Sequence, residues 1–110
     1  MQKLNQETQE KIQQLQIFEQ NIQNLLLQKQ AFQFELNETE NAIEEVKKAG
    51  EEVYKMIGQV MLKASKPEIE KELSQKKDIL GLRIKSIEKQ EANLKEEAEK
   101  IRQEVMKKIK

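Results

Sequence analysis

The stretch VYKMIGQVMLKA, residues 53–64, decides the fold because it predicts two short strands joined by a tight turn. Gly58-Gln59 fits a two-residue type II′ turn, in which glycine takes the first central position. Pairing outward from this turn sets Ile57 opposite Val60, and then Met56 opposite Met61, Lys55 opposite Leu62 and Val53 opposite Ala64. We therefore predict a single β-hairpin over residues 53–64.

Both faces of this hairpin are apolar. One face carries Val53, Ile57, Val60, Leu62 and Ala64, and the other carries Tyr54, Met56 and Met61 with Lys63. An isolated two-stranded hairpin is only marginally stable in water, and its open edges pair readily with other chains. We therefore predict an assembly hairpin formed by Val53, Tyr54, Met56, Ile57, Gly58, Val60, Met61 and Leu62, with the two methionines filling the core of the assembled body.

A heptad-patterned segment precedes the hairpin and predicts a helix over about residues 4–49. Most positions at alternating four- and three-residue spacing are apolar, which is typical of a coiled-coil seam. The seam positions are Leu4, Thr8, Lys11, Leu15, Phe18, Ile22, Leu25, Lys29, Phe32, Leu36, Thr39, Ile43 and Val46. Gly50 follows at the position of a C-terminal cap. A helix of this length extends roughly 65 Å.

A second heptad-patterned segment predicts a helix over about residues 66–109. Ser65 and Glu68 have capping-box spacing, and Pro67 suits the first turn. The seam consists of Leu73, Lys77, Leu80, Ile84, Ile87, Glu91, Leu94, Ala98, Ile101 and Val105. Gly81 interrupts it at a cost of roughly 1 kcal/mol. Either a close backbone approach requires this glycine or the helix tolerates it as a defect.

The two segments have matched lengths and share one connector, so we expect them to pair antiparallel as a coiled-coil arm. Residue i then lies near residue 116 − i, which brings Lys11 near Glu104 and Lys29 within about a turn of Glu91. These polar positions either form salt bridges that set the register or extend their long side chains out of a shallow seam.

The composition excludes several classes of function. Apolar and charged residues each make up 36% of the chain, the net charge is zero, and there is no cysteine or histidine. Without a net basic face we expect no nucleic-acid partner, and without cysteine or histidine we expect no metal, no cofactor and no enzymatic activity. No apolar run approaches the roughly 18 residues of a membrane span, so a cytoplasmic location is expected.

The order of these elements resembles a prefoldin subunit of the beta type. The resemblance rests on the Val53-Tyr54-Lys55-x-x-Gly58 hairpin entry, the Val60-Met61-Leu62-Lys63 return and the Pro67–Leu73 helix start, with one hairpin rather than two. It covers nearly the whole chain and implies one domain over residues 1–110. It also implies a hetero-hexamer of two alpha-type and four beta-type subunits, joined through their hairpins into a β-barrel body.

The family resemblance further implies that the arms hold non-native polypeptides at their tips. Such subunits prevent aggregation and deliver these clients to a group II chaperonin without using nucleotide. Antiparallel pairing would bring both chain ends together at the tip, where the apolar residues are Leu4, Ile12, Val105, Met106 and Ile109. Two alternatives remain: these are ordinary apolar residues of helix ends, and the chain is a structural coiled-coil scaffold or spacer without client binding.

Overall fold

The computed structural model describes residues 5–109, with side chains described through Lys108. Its elements follow one another as α1 (Gln6–Lys48), β1 (Glu52–Ile57), β2 (Val60–Ser65) and α2 (Lys66–Ile109). The chain is therefore mostly helical, with one antiparallel hairpin between two long helices. The predicted mostly helical fold, with two long helices joined by one β-hairpin, is confirmed for the single chain.

The first helix begins at a polar cap. Asn5 Oδ1 accepts a hydrogen bond from the backbone N–H of Thr8 at 2.7 Å. Asparagine is among the favoured residues at this position because its side chain satisfies a backbone donor that has no partner within the helix. The second helix starts in the same way, since Ser65 Oγ accepts from the backbone N–H of Glu68 at 3.3 Å. The serine half of the predicted capping box is confirmed.

The predicted glycine cap of α1 is wrong. Gly58 is the one described glycine with a positive φ, so Gly50 does not adopt the left-handed conformation of such a cap. Instead, the ammonium group of Lys66 donates to the carbonyl oxygens of Lys47 at 3.3 Å and Ala49 at 2.9 Å. A cation at a helix C-terminus also interacts favourably with the helix dipole. A side chain from the first turn of α2 thus caps the end of α1.

Contacts divide the chain into two compact units. The terminal unit contains α1 through Gln30 and α2 from Lys85, and the hairpin unit contains residues Ala31–Ile84. The hairpin unit therefore holds the end of α1, both strands and the start of α2.

Within the terminal unit, α1 and α2 pair in opposite directions. Three ion pairs join them: Lys11 Nζ lies 2.9 Å from Glu104, Arg102 lies 3.4 Å from Glu19, and Lys29 lies 3.4 Å from Glu91. Partner numbers on α2 fall as those on α1 rise, as antiparallel pairing requires. Among the described residues of this unit, the buried side chains are those of Thr8, Ile87, Ala98 and Val105.

In the hairpin unit, the buried side chains are Thr39, Val53, Leu80 and Ile84. The guanidinium group of Arg83 lies 5.6 Å from the centroid of the Phe32 ring, a cation–π distance. The heptad phase of α1 is confirmed, because its seam positions from Thr8 to Val46 are all buried or half-buried. In α2 the phase holds except at Lys77, which is exposed.

Gly81 has no close neighbour. A Cβ atom added there would meet no heavy atom within 4 Å beyond the local helix. No close backbone approach from the described residues requires this glycine, which favours the tolerated defect.

Candidate functional site

The hairpin has the register that its turn residues predict. Ile57 pairs with Val60, Met56 with Met61, Lys55 with Leu62 and Val53 with Ala64. Gly58 has a φ of 62°, whereas no described non-glycine residue has a positive φ. This combination fits a type II′ turn and excludes type I′, which needs positive φ at both central positions.

Most of the predicted assembly hairpin is exposed. The side chains with exposed fractions between 48% and 64% are those of Tyr54, Met56, Ile57, Val60, Met61 and Leu62, whereas Val53 is 8% exposed. Large apolar side chains exposed at neighbouring positions are uncommon on proteins that function alone. Each strand also has one edge that pairs with no other strand of the described chain.

The two faces of the hairpin differ in their relation to the rest of the hairpin unit. On the first face, Val53 is buried, Ala64 is half-buried, and Lys55 Nζ lies 2.9 Å from a carboxylate oxygen of Glu72 on α2. On the second face every residue is exposed: Glu52, Tyr54, Met56, Met61, Lys63 and Ser65. The first face is therefore anchored at its base, and the second face is free over its whole length.

Three of the five residues predicted for the tip have described side chains, and these differ in accessibility. Met106 is 55% exposed and Ile12 is half-buried, whereas Val105 is only 6% exposed. Val105 therefore belongs to the seam and offers little surface of its own. Leu4 and the side chain of Ile109 lie outside the described part of the chain.

An ion pair joins the two helices in the same part of the terminal unit. Lys11 donates a hydrogen bond to the carboxylate of Glu104, which raises the pKa of Lys11. The same hydrogen bond, together with the positive charge of Lys11, lowers the pKa of Glu104. Lys11 also lies 3.5 Å from Glu7. The carboxylates of both pairs are largely open to solvent, so each pair contributes little to stability. The Lys11–Glu7 pair lies within α1, so of the two only Lys11–Glu104 bears on the register of the helices.

The Lys29–Glu91 pair is better shielded, since the Glu91 side chain is 13% exposed. Both predicted polar layers thus form ion pairs across the helices, as one of the two interpretations of the sequence required. Ion pairs at seam positions favour one alignment of the two helices because a shifted alignment would leave charges without partners.

Sequence reasoning missed a set of exposed apolar side chains on the helices. They are Ile17 and Leu27 in the terminal unit, and Phe34, Ile79 and Leu82 in the hairpin unit. Each of these residues falls outside the heptad phase, and this departure from the seam pattern could have identified them as exposed from the sequence.

The described residues contain no group of three or more histidine, cysteine, aspartate or glutamate side chains placed to hold a metal ion. The same residues include no helix that is long and apolar enough to cross a membrane. A shallow groove of about 290 Å³ in the terminal unit is lined by Gln14, Phe18, Glu97, Lys100, Ile101 and Glu104.

Comparisons with known proteins agree with this architecture. The family model described as prefoldin subunit matches residues 6–110. Prefoldin subunit beta of Methanospirillum hungatei is 34% identical over 111 residues, which cover 99% of this chain and 92% of that protein. Prefoldin subunit beta of Archaeoglobus fulgidus is 38% identical over 85 residues, covering 76% of this chain and 73% of that protein.

A solved structure shows the same fold. The prefoldin beta subunit from Thermococcus strain KS-1 superposes with a TM-score of 0.89 at 29% identity, covering 97% of this chain and 96% of that one. The family model and the solved structure both cover nearly the whole chain, which has the order helix, hairpin, helix. This chain therefore belongs to the prefoldin family, as a subunit of the beta type.

Proposed function

We propose that this chain is the beta-type subunit of a cytoplasmic co-chaperone that captures non-native polypeptides and delivers them to a group II chaperonin. The hairpin joins it to alpha-type subunits and to other copies of itself, in a hexamer of two alpha-type and four beta-type chains with a β-barrel body. The helix ends of the terminal unit hold the client. Family membership supports a chaperone role, which needs neither catalytic residues nor nucleotide.

The observation that carries the assembly proposal is the exposure of the hairpin. Six of its large side chains stand between 48% and 64% exposed. Full burial of a fully exposed large apolar side chain contributes roughly 1.5–3 kcal/mol, so each of these partly exposed side chains would contribute about half of that. Pairing the free strand edges would satisfy their backbone groups. The hairpin of a second copy of this chain would supply both, because it carries the same free edges and exposed apolar side chains.

Charge placed in the hairpin tests assembly. Ile57→Asp or Val60→Asp would bury an unpaired carboxylate in the body, at a cost of several kcal/mol. We expect native mass spectrometry of these variants, mixed with an alpha-type subunit, to show no hexamer. Their helical circular dichroism signal should be largely kept. Gln59→Asp is the matched control, since Gln59 is an exposed turn residue, and it should assemble normally. Normal assembly of Ile57→Asp and Val60→Asp would contradict the proposal.

Client capture is proposed for the end of the terminal unit, where Met106 is exposed and Ile12 is half-buried. Non-native chains offer apolar segments without a fixed sequence. Flexible, polarizable methionine suits such contacts. Several shallow contacts on separate arms would hold a client through avidity rather than through one deep pocket.

Polar substitutions at the helix ends test client capture. The double variant Ile12→Ser/Met106→Ser should form the hexamer but lose most of its ability to suppress aggregation of a chemically denatured test protein. The matched control is Gln13→Ser/Gln103→Ser, which changes exposed polar neighbours and should protect like the unmodified chain. Removing Met1–Lys11 together with Glu104–Lys110 should abolish protection.

The same light-scattering assay separates this proposal from a structural role. A wild-type hexamer that never suppresses aggregation would identify a scaffold or spacer. A hexamer of Ile12→Ser/Met106→Ser that protects fully would place client contacts elsewhere on the arm. Chaperonin delivery is tested by following a fluorescent client from the hexamer to a group II chaperonin without added nucleotide, with chaperonin alone as the control.

A further inference from the structure

The second face of the hairpin presents two methionines side by side. Met56 and Met61 occupy directly paired positions of β1 and β2. Their side chains are 64% and 62% exposed. Directly opposite residues of an antiparallel pair have Cβ atoms roughly 4.5–5.5 Å apart, so the two thioethers lie on one continuous patch.

This patch is open to reagents in solution because every residue of the second face is exposed. Val53 on the first face illustrates the contrast, since it is 8% exposed. Met106 is the other described methionine, and it lies in the terminal unit. Among the described methionines, only Met56 and Met61 would therefore change the hairpin surface if their sulfur atoms were modified.

Hydroperoxides convert exposed methionine to methionine sulfoxide. The thioether sulfur attacks one peroxide oxygen, the O–O bond breaks, and an S=O bond forms. Sulfur loses two electrons, and hydrogen peroxide leaves as water after proton transfer. The product is a polar side chain that must find hydrogen-bond donors when buried, whereas the original thioether packs in an apolar core without them.

We propose that Met56 and Met61 form a hydroperoxide-sensitive modification site whose oxidation in the free chain blocks its entry into the oligomer. This inference rests on the proposed assembly through the hairpin. Two sulfoxides on the same patch would both enter the body, so their unfavourable burial adds. Methionine sulfoxide reductases reverse the change, so the oxidised chain regains assembly after reduction.

Assembly of the oxidised chain tests the proposal. The full chain is treated with hydrogen peroxide, the peroxide is removed with catalase, and the sulfoxides are located by peptide mass spectrometry. After mixing with an unmodified alpha-type prefoldin subunit, native mass spectrometry gives the concentration at which half of the chain is assembled. We expect this midpoint to rise at least about tenfold, which corresponds to about 1.4 kcal/mol, and to recover after reductase treatment.

Two variants separate the hairpin methionines from oxidation elsewhere. Met56→Leu/Met61→Leu retains Met106 and Met1. Its assembly midpoint after peroxide treatment should stay within about twofold of its midpoint before treatment, well below the tenfold rise expected for the unmodified chain. Met56→Gln/Met61→Gln places polar groups at the same positions and should assemble poorly without any peroxide. In a hexamer formed before treatment, Met56 and Met61 should resist oxidation while Met106 is modified.

The outcomes are distinguishable from a failure of the assembly proposal. If the wild-type chain carries both sulfoxides and assembles at its original midpoint, the modification site is refuted although hairpin assembly stands. Equal peroxide sensitivity of the Met56→Leu/Met61→Leu chain, or normal assembly of Met56→Gln/Met61→Gln, would refute it too. If Ile57→Asp forms normal hexamers, the proposal that the chain assembles through its hairpin is itself refuted.

Discussion

Two leucines of α2 provide a matched test of which side of the helix supports the fold. Leu80 is 2% exposed and Leu82 is 67% exposed, although only Gly81 separates them. Leu80→Ala removes the same atoms as Leu82→Ala. The two changes also have the same effect on helix propensity, which favours alanine. Any difference in the free energy of unfolding therefore reports burial.

The expected magnitude follows from that burial. Leucine-to-alanine changes at buried sites cost about 2–5 kcal/mol, and a seam between only two helices can relax around the lost atoms. We therefore expect a loss of about 2–3 kcal/mol for Leu80→Ala, at the lower end of that range. For Leu82→Ala we expect a change within about 0.5 kcal/mol of zero. The difference corresponds to roughly 10 °C in melting temperature.

For both variants, circular dichroism would give the melting temperature during heating and the free energy of unfolding in urea. The chain is used without its alpha-type partner and at one fixed concentration, because assembly makes the melting temperature depend on concentration. Equal losses for the two variants, or a larger loss at Leu82, would refute the assignment of Leu80 to the seam.

Four further predictions concern single positions. Gly81→Ala should raise the free energy of unfolding by about 1 kcal/mol, measured by urea unfolding, because the added methyl group meets no neighbour; a loss of stability would reveal a constraint on the backbone there. Lys66→Met should lower it by about 0.5–1.5 kcal/mol through loss of the α1 cap, with exposed Lys71→Met as control; equal effects would argue against the cap. Glu104→Gln should lower the melting temperature at neutral pH, because it removes the contact of the ionised Glu104 with Lys11. As the pH falls through the lowered pKa of Glu104, the unmodified chain loses the same contact and the two melting temperatures should converge. A difference in melting temperature that does not change with pH would contradict this. Gly58→Ala should destabilise the hairpin by about 1–2 kcal/mol, because its φ is 62°, and should raise the assembly midpoint in native mass spectrometry; an unchanged midpoint would show that the turn tolerates alanine.

The hairpin was the most predictable part of the molecule. Its register depends on Gly58, whose missing side chain permits positive φ, and on apolar residues close in sequence. These causes act over a few residues, so the pairings of Met56 with Met61 and Ile57 with Val60 could be worked out without a structure. The anchored face could not, because it depends on the contact of Lys55 with Glu72, 17 residues away.

The end of α1 shows where local reasoning failed. Gly50 stands at a position where glycine often ends a helix, yet the cap comes from Lys66. Capping by a side chain depends on where the next helix begins, and sequence spacing alone does not place that ammonium group beside the last carbonyls.

The helix ends separate the two kinds of information again. The sequence placed Val105 and Met106 together at the tip, although only Val105 also falls in the heptad seam, and packing leaves Val105 6% and Met106 55% exposed. Adjacent residues on a helix point about 100° apart, so a partner helix covers one and not the other.

By itself, the sequence determined the order of elements, the heptad phase, the register of the hairpin and the family, since these depend on periodicity and on the backbone preferences of neighbouring residues. The tertiary structure alone decided how far each apolar side chain of the hairpin is exposed, which hairpin face is free and which lysine caps α1. Those properties depend on groups brought together from distant parts of the chain, such as Lys66 and Ala49. Burial and ion pairing are properties of that three-dimensional neighbourhood, whereas turn and helix preferences belong to the residues themselves.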